Sequence, residues 1–231
     1  LNLFKKEKPE AVDLELISIH IPKTGGSSFE QTLKSVFGKK GFYRLDIKPK
    51  RGILLNNKPY NSRLLPSDAR VIHGHFSMKK LKENFDGVKN APVITWLRDP
   101  VERVVSNYFY LLGILEEGLS EELQQTNIID RMGKTFEEFV HFEGSRNKIS
   151  RFLNGMELED FTFVGIIEHY LEDLDQLAKQ LDWPEYETFY HNKTKGPKKQ
   201  LTPEEREHIK QLNSLDYAFY KKALEQRAAR Q

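Results

Sequence analysis

Apolar positions along this chain fall into short blocks, and two kinds of spacing alternate. Residues 14–21 (LELISIHI) are apolar on both faces and β-branched, the pattern of a buried parallel strand. A Gly25-Gly26 turn follows. Then Phe29, Leu33, Val36 and Phe37 recur at helix spacing. Residues 69–73 and 92–97 (PVITWL) repeat the strand pattern. Asp99, Pro100 and Glu102 supply an N-cap, a proline at the first helical position and an acid at the third. The helix they open carries Val101, Val104, Val105, Tyr108 and Leu112 on its apolar side. Residues 120–155 read as mostly helical, with Thr135 and Glu138 as a capping box. Residues 161–166 form a fourth strand, followed by a helix with Leu171, Leu174, Leu177 and Leu181 on its apolar face, ending near Pro184. Residues 186–190 are expected as a fifth strand. Thr202, Pro203 and Glu205 open a final helical hairpin. Residues 38–66, rich in Gly, Pro, Asn and Lys, predict irregular or short β structure, a candidate part of an acceptor cleft. Strands alternating with helices imply an α/β fold with three layers: a central, mostly parallel sheet with helices on both faces.

Length and composition narrow the class. One domain over all 231 residues is expected, with residues 1–12 as a frayed or trimmed start. Hydrophobic residues make up 38% and charged residues 30%, and no apolar run approaches a membrane span. Cysteine is absent, which removes disulfides, thiolate metal sites and a cysteine nucleophile. With no signal peptide in the chain, a cytoplasmic location is expected, or the Golgi lumen if an upstream anchor was trimmed. A net charge of +2 gives no global field for nucleic acid, so an anion site must be local.

One such site stands between the first strand and its helix. In Pro22-Lys23-Thr24-Gly25-Gly26-Ser27-Ser28 the glycines allow a tight turn and close backbone approach. The helix N-terminus adds partial positive charge. Lys23 brings a full charge, and Thr24, Ser27 and Ser28 bring hydroxyls. A Gly-rich turn with an exposed lysine is the bland alternative. A Walker A loop is the rival, but here the lysine precedes the glycines and no Ser or Thr follows a Gly-Lys pair.

The stretch HIPKTGGSS, His20 to Ser28, resembles the 5′-phosphosulfate loop of sulfotransferases that use 3′-phosphoadenosine 5′-phosphosulfate (PAPS). It is most similar to the carbohydrate branch that includes heparan sulfate 2-O-sulfotransferases and bacterial relatives. The resemblance implies that the loop wraps the 5′-phosphate and that Lys23 contacts the bridging region of the phosphosulfate. It also implies a second element for the 3′-phosphate, matched here by Trp96-Leu97-Arg98-Asp99-Pro100 followed by Ser106. Arg98 lies at the carboxyl end of a strand, where open α/β sheets bind ligands, and its planar fork suits a phosphate. Asp99, Arg103 and Ser106 share one helix face.

His73-Gly74-His75 follows the second strand. Histidine suits the proton acceptor that sulfuryl transfer to a hydroxyl needs. The family's similar His-Gly-His stretch uses its second histidine as base, which implies His75 as the base and His73 as an acceptor-orienting or supporting group. Loop histidines or a metal half-site are the alternatives, and the second is opposed by the missing acidic partners. Other branches use a glutamate, which makes Glu168 the second candidate. Thr194 and Lys195, in the basic stretch 192–199, match a late loop that closes over the nucleotide; the same stretch could attract an anionic glycan. Arg151, with Asn147, lies in a segment (NKISRFL) similar to one near the nucleotide or acceptor. Trp96, Trp183, Phe136, Phe139 and Phe142 are expected in the core.

The reaction this implies is in-line transfer from PAPS to a hydroxyl, on a saccharide for preference, releasing adenosine 3′,5′-bisphosphate and requiring no metal. A nucleotide phosphotransferase and a non-catalytic nucleotide- or glycan-binding module are the rival functions.

Overall fold

The computed structural model describes residues 12–48, 52–116, 133–189 and 199–230. The strands are β1 (Leu16–Ile19), β2 (Phe42–Lys48), β3 (Gly52–Leu55), β4 (Lys58–Pro59), β5 (Val71–Gly74), β6 (Val93–Leu97) and β7 (Phe163–Ile166). They form one sheet in the order β4-β3-β2-β5-β1-β6-β7. The five from β2 to β7 in that order pair in parallel, and the β3 and β4 ribbon extends the β2 edge antiparallel. The fold is therefore α/β, with the mostly parallel sheet expected.

Helices cover both faces. On one face α1 (Gly26–Gly41) and α6 (Tyr170–Gln180) bury Phe29, Leu33, Leu174 and Leu177 against Leu16, Val71 and Ile94. On the other, α2 (Met78–Asn84), α5 (Lys148–Phe152) and α8 (Ser214–Ala229) place Leu81, Ile149 and Tyr220 against Ile17, Ile19 and Ile72. Apolar residues alternate between these two cores along each strand, because successive side chains point to opposite faces. α3 (Pro100–Glu116), α4 (Phe136–His141) and α7 (Pro203–Leu212) enclose a third cluster around Val104, Phe139 and Ile209.

The local signals hold. Asp99 Oδ1 accepts from the Val101 and Glu102 amides at 2.9 and 3.0 Å, and both Thr135 and Thr202 form complete capping boxes. Two expectations fail. Residues 186–189 are not a strand: the Glu187 N–H donates to Ser35 Oγ at 3.0 Å, and Trp183 and Tyr186 pack on the α1 side, so this segment lies over a helix. Residue 190 lies outside the described residues. Leu171 is 58% exposed, because Tyr170 takes the inward position beside Leu174 and Leu177.

Candidate active site

The sheet order sets three candidate elements side by side. β5, β1 and β6 are neighbours, and their carboxyl ends lead into His75, the Lys23 loop and Arg98 respectively. The chain leaves β1 toward β2 through α1, whereas β5 connects across to β6. β1 thus flanks the crevice where open α/β sheets take ligands.

The loop after β1 is tightly wound. Lys23 and Gly25 both have left-handed backbones, at φ 72 and 81. A side chain on Gly25 would be strained at that φ and would meet Ile167 Cδ1 at 2.3 Å. The Gly25 carbonyl accepts from the Ser28 and Phe29 amides, which starts α1. The Gly26 and Ser27 amides of its first turn have no partner four residues back, so they are available to an anion. Ser27 is exposed and Ser28 buried. Thr24 does not offer its hydroxyl proton outward: it is buried and donates to the Ile21 carbonyl at 2.8 Å, stapling the loop. Lys23 is half-buried. Burial, and then the nearby Arg98 charge, push its amine down to about 8.

Arg98 is half-buried and its guanidinium faces the Lys23 carbonyl at 3.4 Å, which joins the two candidate phosphate elements. Ser106 is buried two turns along α3. Arg103, on the same helix face, points into the protein. It donates to the Ser145 carbonyl at 2.9 Å and lies 4.0 Å from Asp216, tying α3 to α8.

Three histidines stack beside the loop. His20 lies between the other two, with ring centroids 4.4 Å from His75 and 5.0 Å from His73. Its ring fills the space a Cβ on Gly26 would take, 2.0 Å from Nε2. His73 is buried and its Nδ1 is 2.8 Å from Ser18 Oγ. Burial, reinforced by His75 and Arg44, pushes His73 down to about 3; burial and the other two histidines hold His20 well below the usual histidine range. Both are neutral near pH 7.

His75 is different, because 22% of its side chain is exposed. Its Nδ1 and its backbone N–H both meet Asp46 Oδ1, at 2.7 and 3.0 Å. Nε2 has no hydrogen-bond partner among the described residues. Burial alone would raise the Asp46 carboxyl, but the His75 hydrogen bond and the His75 and Arg44 charges outweigh it and hold the group below the usual carboxylate range. Asp46 was not among the candidates from sequence. It lies 29 residues from His75, in no motif. The available signal was the pair Arg44 and Asp46, alternate charged positions on one face of a strand.

Glu168 follows β7. Its Oε1 accepts from the Asp99 N–H at 3.0 Å and its Oε2 from the Tyr220 hydroxyl at 3.2 Å, so both oxygens tie neighbouring segments together. Arg151 is exposed on α5 and donates to the Glu143 carbonyl. The next residue, Phe152, meets His75 edge to face with the ring centroids 6.2 Å apart, which brings α5 to the rim of the site. Thr194 and Lys195 lie outside the described residues. Beside α1, a groove of about 490 Å³ is lined by Glu30, Lys34, Lys39, Phe42, Arg44 and Asn56, among others, with three cations to one carboxylate.

A family model described as "Sulfotransferase family" matches residues 11–223. Human heparan sulfate 2-O-sulfotransferase 1 is 30% identical over 115 residues, 44% of this chain, and the match spans 30% of that relative's length. Among solved structures, a sulfotransferase from Alicyclobacillus acidocaldarius is similar over 90% of this chain and 94% of its own, with 15% identity and a TM-score of 0.49. Mouse sulfotransferase SULT7A1 complexed with PAP is similar over 87% of this chain and 64% of its own, with 12% identity and a TM-score of 0.47.

Proposed function

The chain belongs to the sulfotransferase family, and from that premise we propose that it moves a sulfuryl group from PAPS to a saccharide hydroxyl. The donor is a substrate here. Its 5′-phosphosulfate sits on the Gly26 and Ser27 amides with Lys23 beside the bridging oxygen, and its 3′-phosphate lies against Arg98 and Ser106. The acceptor oxygen attacks sulfur in line. The bond from sulfur to the bridging oxygen breaks, and adenosine 3′,5′-bisphosphate leaves with the electron pair. Lys23 and the loop amides meet the charge that grows there. The acceptor's proton passes to His75 Nε2.

The observation that carries this reading is the position of His75. It is accessible, one imidazole away from the donor loop, and has Nε2 unengaged among the described residues. The saccharide acceptor is supported by the partial similarity to the heparan sulfate enzyme and by the groove beside α1, where Lys39 adds a cation to the carboxylate-paired Lys34 and Arg44. Arg44 of that groove reaches Asp46, and through it His75. An anionic sugar chain suits such a lining. His73 supports the site from beneath, and Arg151 at the rim contacts the acceptor.

The test is transfer from sulfur-labelled PAPS to a panel of neutral and anionic oligosaccharides, phenols and small alcohols. Labelled anionic saccharide with stoichiometric adenosine 3′,5′-bisphosphate is expected. Donor binding with no transfer to any acceptor would mean a binding module, and labelled phenol or alcohol alone would remove the saccharide.

A further inference from the structure

We propose that Asp46 is a positioning residue for His75, held in its working state by a relay of charges from α1. The inference rests on the reading of His75 as the base, and adds what makes it one.

The geometry selects one tautomer. An ionised carboxylate only accepts hydrogen bonds. Asp46 Oδ1 lies 2.7 Å from His75 Nδ1, so Nδ1 must carry a proton. The neutral ring then has its lone pair on Nε2, the atom turned away from Asp46. The backbone N–H of His75 donates to the same oxygen at 3.0 Å, which fixes main chain and ring together. With the ring stacked on His20 and edged by Phe152, little freedom of rotation is left.

Asp46 is in turn kept ionised although only 2% exposed. Its Oδ2 accepts from Arg44 Nε at 3.2 Å. Arg44 also donates to Glu30 Oε2 at 3.0 Å, and Glu30 Oε1 accepts from Lys34 at 2.6 Å. Charges therefore alternate from Lys34 through Glu30, Arg44 and Asp46 to the imidazole. A buried carboxylate needs such a partner. The register supports the design: Arg44 is aligned with His73 on neighbouring strands, so Arg44 and, two residues on, Asp46 occupy the face covered by α1. The groups packed against His75 are Asp46 from β2, His20 after β1 and Phe152 from α5, with Arg44 behind Asp46 and His73 behind His20. His20 and His73 stay neutral, which leaves Asp46 as the negative partner in direct contact with the ring.

Two measurements test this. Nitrogen-15 spectra of wild-type protein at neutral pH report the tautomer of His75, assigned with His75→Ala. A protonated Nδ1 is expected, and a protonated Nε2 overturns the relay. Kinetics of Asp46→Asn come second. The amide can donate to Nδ1 and favour the other tautomer, so turnover should fall by about 10²–10⁴. Affinity for adenosine 3′,5′-bisphosphate should stay within about twofold. Asp46→Glu should recover part of the rate. A wild-type rate in Asp46→Asn overturns the relay, while loss of turnover in His75→Ala keeps the base itself. Near wild-type turnover in His75→Ala instead sinks the base assignment on which both rest.

Discussion

Lys23 Nζ lies 3.9 Å from the centroid of the Tyr110 ring, an aromatic on α3 that is 50% exposed. Tyr110 is one helical turn beyond Ser106, so the face of α3 that carries the candidate 3′-phosphate serine also carries the resting place of the donor-loop lysine. The ring face attracts the ammonium but replaces only part of its hydration. Burial and Arg98 together bring the amine down to about 8.

Donor affinity should therefore depend on alkaline pH. The cation is the form that binds phosphate, and in the free protein it is lost as pH rises through about 8. Calorimetry with adenosine 3′,5′-bisphosphate should show affinity falling above that pH, by at most about tenfold per unit. Lys23→Arg should flatten the profile, since a guanidinium stays charged. A wild-type profile level to pH 9.5 would remove Lys23 from the donor site.

Arg98 should discriminate the 3′-phosphate. Arg98→Ala is expected to weaken adenosine 3′,5′-bisphosphate by about 1.5–3 kcal/mol, the cost of a charge-assisted contact, and adenosine 5′-phosphate by much less. Equal losses for both nucleotides would show that Arg98 only braces the Lys23 loop.

Gly26→Ala should damage the donor loop and the base together. The new methyl would lie 2.0 Å from the His20 ring, which cannot yield because it is stacked between His73 and His75. A stability loss of about 1–3 kcal/mol is expected from such overpacking. Both bisphosphate affinity and turnover should fall. A variant that keeps both would mean the histidine stack moves freely.

The buried histidines predict acid sensitivity. His73 titrates near 3 in the fold against 6.5 in an open chain, and His20 is also depressed. Above pH 6.5 both states are neutral and the full stability is present. As pH falls below it, the unfolded chain takes up protons that the fold refuses. Stability should then drop by up to about 1.4 kcal/mol per pH unit for each histidine, until the folded form titrates. Asp46, with its lowered carboxyl, adds a further loss only in stronger acid. Urea unfolding between pH 7 and 4.5 gives the slope; a flat stability across that range would contradict neutral, buried imidazoles.

Much of this protein was determined by short-range sequence. A Gly25-Gly26 turn between an apolar strand and an amphipathic helix winds the candidate anion loop from backbone sterics alone, and Asp99, Thr135 and Thr202 cap their helices within three residues. The parallel strands were legible because both faces are apolar. What only tertiary structure decided involves partners far apart in the chain. Leu171 and Tyr170 compete for one inward position, and helical phase against the sheet chose tyrosine. Residues 186–189 have strand-like composition, but their backbone is met by a side chain on α1. Thr24 carries the hydroxyl expected of a ligand, yet the turn aims it at Ile21. Asp46 reaches His75 because β2 inserts beside β5, a pairing set by burial across the whole sheet. The motif thus names the loop and the histidine. The carboxylate that orients the histidine is chosen by strand order, since side chains from neighbouring strands meet at hydrogen-bond distance whatever their separation in sequence.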